Sequence, residues 1–370
     1  MTAPPAAAAA PRHLDALTGI RGIAAWAVVL YHIRLSLADL LPQWTIAVLA
    51  KGYLAVDLFF ILSGFVIWYN YAERIRAGGW AEARLFLWRR LARVWPLHGA
   101  VLLGFVGLVG LLLATGRAAP GYPLAELPLH FALVQNWGLT DELSWNHPAW
   151  SISTELAAYL LFPAVVMAAR WEHWPRWALY ALLLGLAAVV HTIFAAHGYR
   201  TLGEDIPGLG LWRCLPEFAM GMVLCILWRR WTQSGGRAVR PLIAALFWTT
   251  MCLAWRLPET ALVPGLFFLL LAAVALDTGP LARLLGGRVL TYLGEISYST
   301  YLAHFLLFIV WKLAFVDASL QLGWLGLAGY LGLVAAASVT LYHGLEKPAQ
   351  RWLNRRPPLW ARPAPALAAE

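Results

Sequence analysis

Long apolar stretches, separated by short polar ones, run along most of the chain. A helix needs about 20 apolar residues to cross the hydrocarbon core of a bilayer, and stretches of that length recur with few charges inside them. They give about ten candidate spans, near 17–37, 52–71, 95–114, 150–169, 178–196, 209–228, 241–256, 260–276, 290–313 and 324–345. The pattern therefore predicts an all-α, polytopic integral membrane protein.

The composition supports this fold class. Of the 370 residues, 61% are hydrophobic and 13% are charged, whereas a typical soluble domain carries about 25% charged residues. So few charged side chains cannot cover a water-exposed surface. This excludes a cytosolic enzyme, a disordered chain and a small secreted scaffold.

The basic residues indicate how the chain is oriented. Lys and Arg outnumber Asp and Glu by 28 to 19, and most of them fall on the side of the predicted spans that also holds both termini. This bias marks the cytoplasmic side of membrane proteins, so we interpret the net charge of +9 as topology and not as nucleic-acid binding. We predict cytoplasmic termini, an even number of spans and contact with membrane lipid.

The spans form one predicted membrane domain over residues 14–351. Residues 1–13 are predicted as a disordered tail and residues 352–370 as a cytoplasmic tail. The three cysteines lie in apolar stretches without metal-ligand spacing, so we predict no metal site. The longest connection, 115–148, interleaves polar residues with tryptophans, which is typical of a sugar-binding surface and equally of any loop beside a membrane.

Ionisable residues inside the predicted spans are the candidates for chemistry, because burying them in lipid is costly. The first span contains Arg21 and His32, which lie eleven positions apart. On a helix they share one face, about 16 Å apart along the axis. Taken alone, the pair is also explained by an arginine reaching the interface and a hydrogen-bonded core histidine.

Two carboxylates lie in apolar surroundings. Asp57 lies in the apolar sequence VDLFF (56–60) of the second span. A carboxylate in such surroundings needs a basic partner in a neighbouring helix. Glu155 lies about one turn inside the fourth span, where a carboxyl group is a candidate for proton transfer. A structural hydrogen bond to a neighbouring helix explains Glu155 as well.

A basic segment precedes the third span and contains Arg89, Arg90 and Arg93. Arg90 and Arg93 are three residues apart and so share a helix face. Guanidinium groups match phosphate oxygens, which favours a phosphate-bearing ligand. Binding of anionic lipid explains the same cluster.

Five motifs occur in order along the chain: residues 17–25 (LTGIRGIAA) leading to Tyr31 and His32, 56–65 (VDLFFILSGF), the Arg90/Arg93 pair with Pro96, 150–155 (WSISTE), and 296–299 (ISYS) leading to His304. Together they resemble the acyltransferase family 3 membrane proteins, which are bacterial glycan O-acyltransferases. The resemblance extends from about Leu14 to Arg351.

The resemblance implies a ten-helix enzyme of the bacterial plasma (inner) membrane. Such an enzyme takes an acyl group, usually acetyl, from cytoplasmic acyl-CoA and transfers it to a sugar hydroxyl outside. It implies a role in acyl transfer for His32, roles in activity or CoA contact for Arg21, Arg90 and Arg93, and a role for Glu155. The expected partners are a glycan acceptor of the exopolysaccharide or O-antigen type and other proteins of polysaccharide biosynthesis.

From these residues we hypothesise a reaction path. Arg89, Arg90 and Arg93 would hold the CoA phosphates, with the thioester reaching inward to His32 as base or transient acyl acceptor. Glu155 would orient His32, relay its proton or meet the acceptor. Arg21 would neutralise the ligand or pair with Asp57. We include Asp57 among the candidate catalytic residues. The alternative function is a transporter or flippase for a lipid-linked saccharide.

Overall fold

The computed structural model describes residues 12–316 and 319–362, and over these residues the chain is helical without strands. Most of the expected N-terminal tail (1–11) and the end of the expected C-terminal tail (363–370) lie outside the described residues. The α-helices of the described chain are α1 (Arg12–Ile33), α2 (Gln43–Leu49), α3 (Ala55–Ala114), α4 (Leu127–Ala132), α5 (Ala149–Ala168), α6 (Arg176–Ala196), α7 (Ile206–Gln233), α8 (Val239–Ala254), α9 (Glu259–Leu276), α10 (Pro280–Leu285), α11 (Arg288–Glu295), α12 (Ser297–Phe315), α13 (Trp324–Leu341) and α14 (Lys347–Arg355).

Eight helical segments of the described chain are long and apolar enough to cross a bilayer. One of them, Gln43–Ala114, is 72 residues long, and the shorter apolar helix α8 lies outside this set. The prediction of an all-α protein with several membrane-spanning helices is therefore confirmed for the described residues. One predicted span is not a single helix: the span over 290–313 is divided at Ile296 into the short α11 and the longer α12.

Helix α3 is a pair of antiparallel arms. Gly79 has φ 56° and ψ −142°, a conformation open to glycine and closed to residues with a Cβ atom. The Tyr71 and Phe86 rings lie 4.9 Å apart, whereas 15 residues of straight helix would separate them by about 22 Å. The chain therefore reverses at Gly79. The predicted spans 52–71 and 95–114 are the first and second arm of this hairpin.

Helix α7 packs against the first arm of α3 with direct backbone contact. A Cβ atom on Gly64 would lie 1.9 Å from the carbonyl oxygen of Phe218, and one on Gly221 would lie 1.9 Å from that of Ile61. Only glycine permits such an approach between helices. This contact fixes the first arm of α3, which carries Asp57 and Ser63, at the centre of the molecule.

Candidate active site

A cavity lies between α1, the two arms of α3, α5 and α12. The empty space of the cavity, together with the solvent-filled space at its open mouth, is about 890 Å³. Its polar lining consists of Arg21, Ser63, Arg90, Arg93, Ser151, Glu155, Tyr159, Ser297, Tyr298 and Tyr301. The fold thus brings together four predicted site residues that lie up to 134 positions apart in the sequence.

Two arginines in this cavity have free hydrogen-bonding capacity. Within the described chain, Arg21 forms no ion pair or hydrogen bond, although it lines the cavity. Arg90 donates to the Tyr71 hydroxyl at 3.1 Å, while its buried Nε has no partner among the described residues. Both arginines are partly buried, and a desolvated positive charge is stabilised by an anionic partner. The cavity is therefore suited to an anionic ligand.

Arg93 has a protein partner. It forms an ion pair with Glu346, whose other carboxylate oxygen accepts a hydrogen bond of 2.6 Å from the Ser299 hydroxyl. Glu346 is fully buried, at 1% exposure, and the sequence analysis did not single it out. Arg89 is half-buried on the same arm of α3 and lies outside the cavity lining.

Glu155 lies on the α5 wall of the cavity. It accepts a hydrogen bond from the Ser63 hydroxyl, so the structure does contain the interhelical bond that the sequence allowed. Its neighbour Tyr159, one helical turn later, also lines the cavity, and the Arg90 guanidinium lies 6.0 Å from that ring. Glu155 and Arg90 therefore line the same cavity, whereas His32 lies outside its lining.

Asp57 pairs with Arg213 of α7. Both Asp57 oxygens accept hydrogen bonds of 2.6 Å, one from Nε and one from an Nη atom of Arg213, and both side chains are buried. Arg213 also donates to the Leu202 carbonyl oxygen at 2.8 Å. The suggested pairing of Asp57 with Arg21 is wrong, because the α3–α7 contact places Arg213 directly opposite the carboxylate. Asp57 lies outside the cavity lining.

His32 forms a pair with His304 of α12, with its Nδ1 atom 3.2 Å from Nε2 of His304. The Nδ1 atoms also approach carbonyl oxygens, that of Val28 at 2.9 Å for His32 and that of Thr300 at 3.2 Å for His304. Carbonyl oxygens only accept, so both Nδ1 atoms carry the proton. His32 Nε2 then presents a lone pair, and within the described chain His32 forms hydrogen bonds through Nδ1 alone.

The histidine pair lies outside the cavity lining, and Tyr301 is a cavity residue near His304. Tyr301 lines the cavity, and its ring centroid lies 6.1 Å from that of His304. Its hydroxyl shares a 2.8 Å hydrogen bond with the Ser151 hydroxyl. Tyr301 is therefore a residue of the cavity lining that adjoins His304, and the sequence analysis did not single it out.

Among the described residues, no group of three or more His, Cys, Asp or Glu could hold a metal ion. The three cysteines are free and buried. The polar groups of the cavity are instead arginines, hydroxyls and a single carboxylate. This donor set suits an anionic organic molecule.

The chain belongs to the acyltransferase 3 family. The model of that family, described as an acyltransferase domain, matches residues 14–343. The protein is therefore a multi-pass membrane enzyme of the O-acyltransferase class, as the sequence motifs predicted.

Individual relatives agree with this family. The chain is 30% identical over 381 residues to the acyltransferase MdmB of Streptomyces mycarofaciens, covering 95% of this chain and 96% of that protein. It is 25% identical over 326 residues to the putative O-acetyltransferase SACOL0978 of Staphylococcus aureus, covering 80% of this chain and half of that protein. It is also 32% identical over 199 residues to protein 2 in the picA locus of Rhizobium radiobacter. No solved structure matches the chain significantly.

Proposed function

We propose that this enzyme transfers an acyl group, acetyl in the first instance, from cytoplasmic acyl-CoA to a sugar hydroxyl of an extracytoplasmic or lipid-linked glycan. The supporting observation is the cavity that contains Arg21 without an ion-pair partner in the described chain, together with Arg90 and Arg93. Coenzyme A carries several phosphates, and arginine is the side chain that best matches them. The family is one of acyltransferases, which favours acyl transfer over transport of a lipid-linked saccharide.

The proposed topology has ten crossings of the bacterial inner membrane with both termini in the cytoplasm. It counts each arm of α3 and the short α8 as a crossing, in addition to the other seven long segments. Arginines near the ends of the helices support this orientation through the positive-inside rule. Arg90 and Arg93 then lie towards the cytoplasm, and His32 lies in the outer half of the membrane.

In the proposed reaction, the acceptor hydroxyl attacks the thioester carbonyl. The bond between the carbonyl carbon and sulfur breaks, an ester bond to the acceptor oxygen forms, and CoA leaves as the thiol. Nε2 of His32 takes the hydroxyl proton and returns a proton to the leaving sulfur. His304 holds the His32 ring through Nδ1, as the orienting group of a catalytic base does.

The cavity supports the donor side of this scheme. The phosphates would lie at Arg90 and Arg93, and the acyl end would lie near Tyr301, between the cavity and the histidine pair. Glu155, on the cavity wall, would contact the donor or relay a proton. Arg21 would neutralise charge on the bound donor.

The test is transfer of labelled acetyl from acetyl-CoA into the glycan fraction of host membranes. We expect label with the wild type and a loss of about 10²–10⁴-fold for His32→Ala, the usual contribution of a general base. His197→Ala is the matched control, because Nδ1 of this exposed histidine also bonds the carbonyl oxygen four residues earlier, at 2.8 Å. Full transfer by His32→Ala would contradict the mechanism. Absence of both transfer and saturable acetyl-CoA binding in folded wild type would contradict the function.

A further inference from the structure

Helix α14 follows the last long apolar helix of the described chain. Helix α13 has 18 residues and is therefore about 27 Å long, close to the thickness of the hydrocarbon core of a bilayer. A single π-helical turn, Tyr342–Glu346, joins it to α14. If α13 crosses the bilayer, as its length and apolar composition indicate, α14 begins at the level of the lipid headgroups.

Helix α14 and the turn that follows it pack on the second arm of α3. The indole nitrogen of Trp88 donates to the Leu353 carbonyl oxygen at 3.0 Å, and the Trp360 ring lies 6.0 Å from that of Trp88. Ala361 is completely buried. The described part of the predicted cytoplasmic tail, residues 352–362, is therefore held against α3, so its exposed side chains have a defined position.

The exposed surface of this segment carries large apolar side chains. At about 100° per residue, the polar residues of α14 lie on one side of the helix and the apolar ones on the other. Trp352 on α14 is exposed, as are Leu359 and Trp360 in the following turn. Short amphipathic helices of this kind lie in the plane of the membrane interface, where tryptophan is enriched.

The same segment is strongly basic. Residues 347–362 contain five basic side chains and no acidic one. None of these five side chains forms an ion pair within the described chain. Arg351 and Arg355 are four residues apart on one helix face, a spacing at which like charges repel. An anion bound between them would offset this repulsion. The five residues are Lys347, Arg351, Arg355, Arg356 and Arg362.

A cleft lies between these arginines and the exposed tryptophan. Its lining consists of Pro348, Arg351, Trp352, Arg355 and Arg356, and the Arg356 guanidinium lies 5.3 Å from the Trp352 ring. The empty space of the cleft, together with the solvent-filled space at its mouth, is about 720 Å³. Guanidinium groups match phosphate oxygens, and the indole ring matches the upper part of an acyl chain.

The cleft is separate from the cavity that contains Arg90 and Arg93, because the two share no lining residue. Trp88, which binds α14, and Arg90, which lines the cavity, lie about 200° apart around the helix of α3. Helix α14 and the cavity are therefore on different sides of this arm. The position of the cleft favours a ligand from the surrounding bilayer over the nucleotide part of an acyl donor.

We propose that this cleft binds the headgroup of an anionic phospholipid from the leaflet in which α13 ends. Arg351, Arg355 and Arg356 contact the phosphate, and Trp352 lies among the upper parts of the acyl chains. The proposal goes beyond the proposed function, because it concerns a lipid that takes no part in acyl transfer.

The test measures how closely each lipid approaches α14 in the full-length protein. Asn354→Cys places a thiol at an exposed position of α14, and the native cysteines are buried, so a maleimide fluorophore labels the new thiol selectively. The labelled protein is placed in phosphatidylcholine nanodiscs with increasing fractions of a quenching nitroxide lipid, either phosphatidylglycerol or phosphatidylcholine. Leu359→Cys, also exposed, is a second reporter if Asn354→Cys does not fold.

We expect half-maximal quenching at a mole fraction of nitroxide phosphatidylglycerol at least about fivefold lower than that of nitroxide phosphatidylcholine, since a single surface arginine contributes about a fivefold preference for anionic lipid. Substitution of the three cleft arginines by glutamine should make the two lipids equal. The matched control removes the same charge from three exposed arginines of other segments and should retain the preference. The control substitutions are Arg237→Gln, Arg240→Gln and Arg283→Gln.

Equal quenching by the two lipids, or an equal loss of the preference in the control variant, would overturn the proposal. Displacement of the nitroxide phosphatidylglycerol by ADP or inorganic phosphate as readily as by unlabelled phosphatidylglycerol would also overturn it, because the cleft would then bind a free phosphate compound. The quenching does not depend on acetyl transfer. A preference for anionic lipid without transfer would contradict the proposed function alone, whereas transfer without this preference would contradict the lipid site alone.

Discussion

His32 and His304 face each other across α1 and α12, with Nδ1 of His32 3.2 Å from Nε2 of His304. His304 is completely buried, and its own Nδ1 is occupied by the Thr300 carbonyl oxygen. The Nε2 atom of His304 is therefore a hydrogen-bond acceptor for Nδ1–H of His32, which leaves Nε2 of His32 without a bond to His304. In the proposed reaction, this relationship makes His304 a positioning residue for His32.

Substitution of His304 should lower kcat with little effect on the KM for acetyl-CoA. Loss of one neutral hydrogen bond is worth about 0.5–1.5 kcal/mol, so we expect His304→Ala to reduce kcat about two- to tenfold. His304→Gln, whose side-chain oxygen can accept from His32 Nδ1, should recover most of that loss. An identical decrease in both variants, or a decrease that appears only in KM, would contradict a positioning role.

Replacement of Arg90 should weaken binding of acetyl-CoA specifically. Hydrogen bonds to charged groups are worth about 1.5–3 kcal/mol, so Arg90→Gln should raise the dissociation constant of acetyl-CoA about 10- to 150-fold. Acetylpantetheine, which lacks the nucleotide phosphates, should bind wild type and variant equally. The matched control is Arg84→Gln, which removes an exposed arginine from the same arm of α3.

Equal weakening of both ligands by Arg90→Gln would show that the variant has lost the shape of the cavity and not a phosphate contact. Titration of radiolabelled ligand in detergent, or competition by each unlabelled ligand, makes the distinction directly. Weakening by Arg84→Gln to the same extent would indicate a non-specific effect of surface charge.

The helices and their order could be predicted from the sequence because apolar length alone decides where a membrane span is possible. The hairpin within α3 could be predicted only as two separate spans, since its reversal depends on the conformation of Gly79. The division at Ile296 was missed although Gly294, Glu295 and Ser297 interrupt the apolar pattern there. In each case the pattern identifies lipid-compatible residues, whereas the backbone direction depends on local geometry.

The candidate site could be predicted in part. Arg21, Arg90, Arg93 and Glu155 do converge in the cavity. Their partners could not be predicted, because partners are set by which helices are neighbours. Asp57 needed a cation, and only the α3–α7 contact shows that Arg213 supplies it.

Removal of the Asp57 charge should destabilise the protein. Breaking a buried ion pair by removing one partner costs about 3–5 kcal/mol, because the other charge remains buried. Asp57→Asn should therefore lower the thermal unfolding temperature in detergent, while acetyl transfer per folded molecule stays near that of the wild type. A variant of unchanged stability with no turnover would instead place Asp57 in the reaction.

A methyl group at Gly64 should separate α3 from α7. The Cβ atom of Gly64→Ala would lie 1.9 Å from the backbone oxygen of Phe218, and a backbone atom cannot move aside without displacing its helix. We expect a large loss of folded protein, measured as the monodisperse fraction after extraction. Gly107→Ala is the matched control on the same helix, since nothing lies within 4 Å of its added Cβ atom. This control should be neutral or stabilising, because alanine favours a helix by about 1 kcal/mol over glycine. Normal folding of Gly64→Ala would show that α3 and α7 are not in backbone contact at this point.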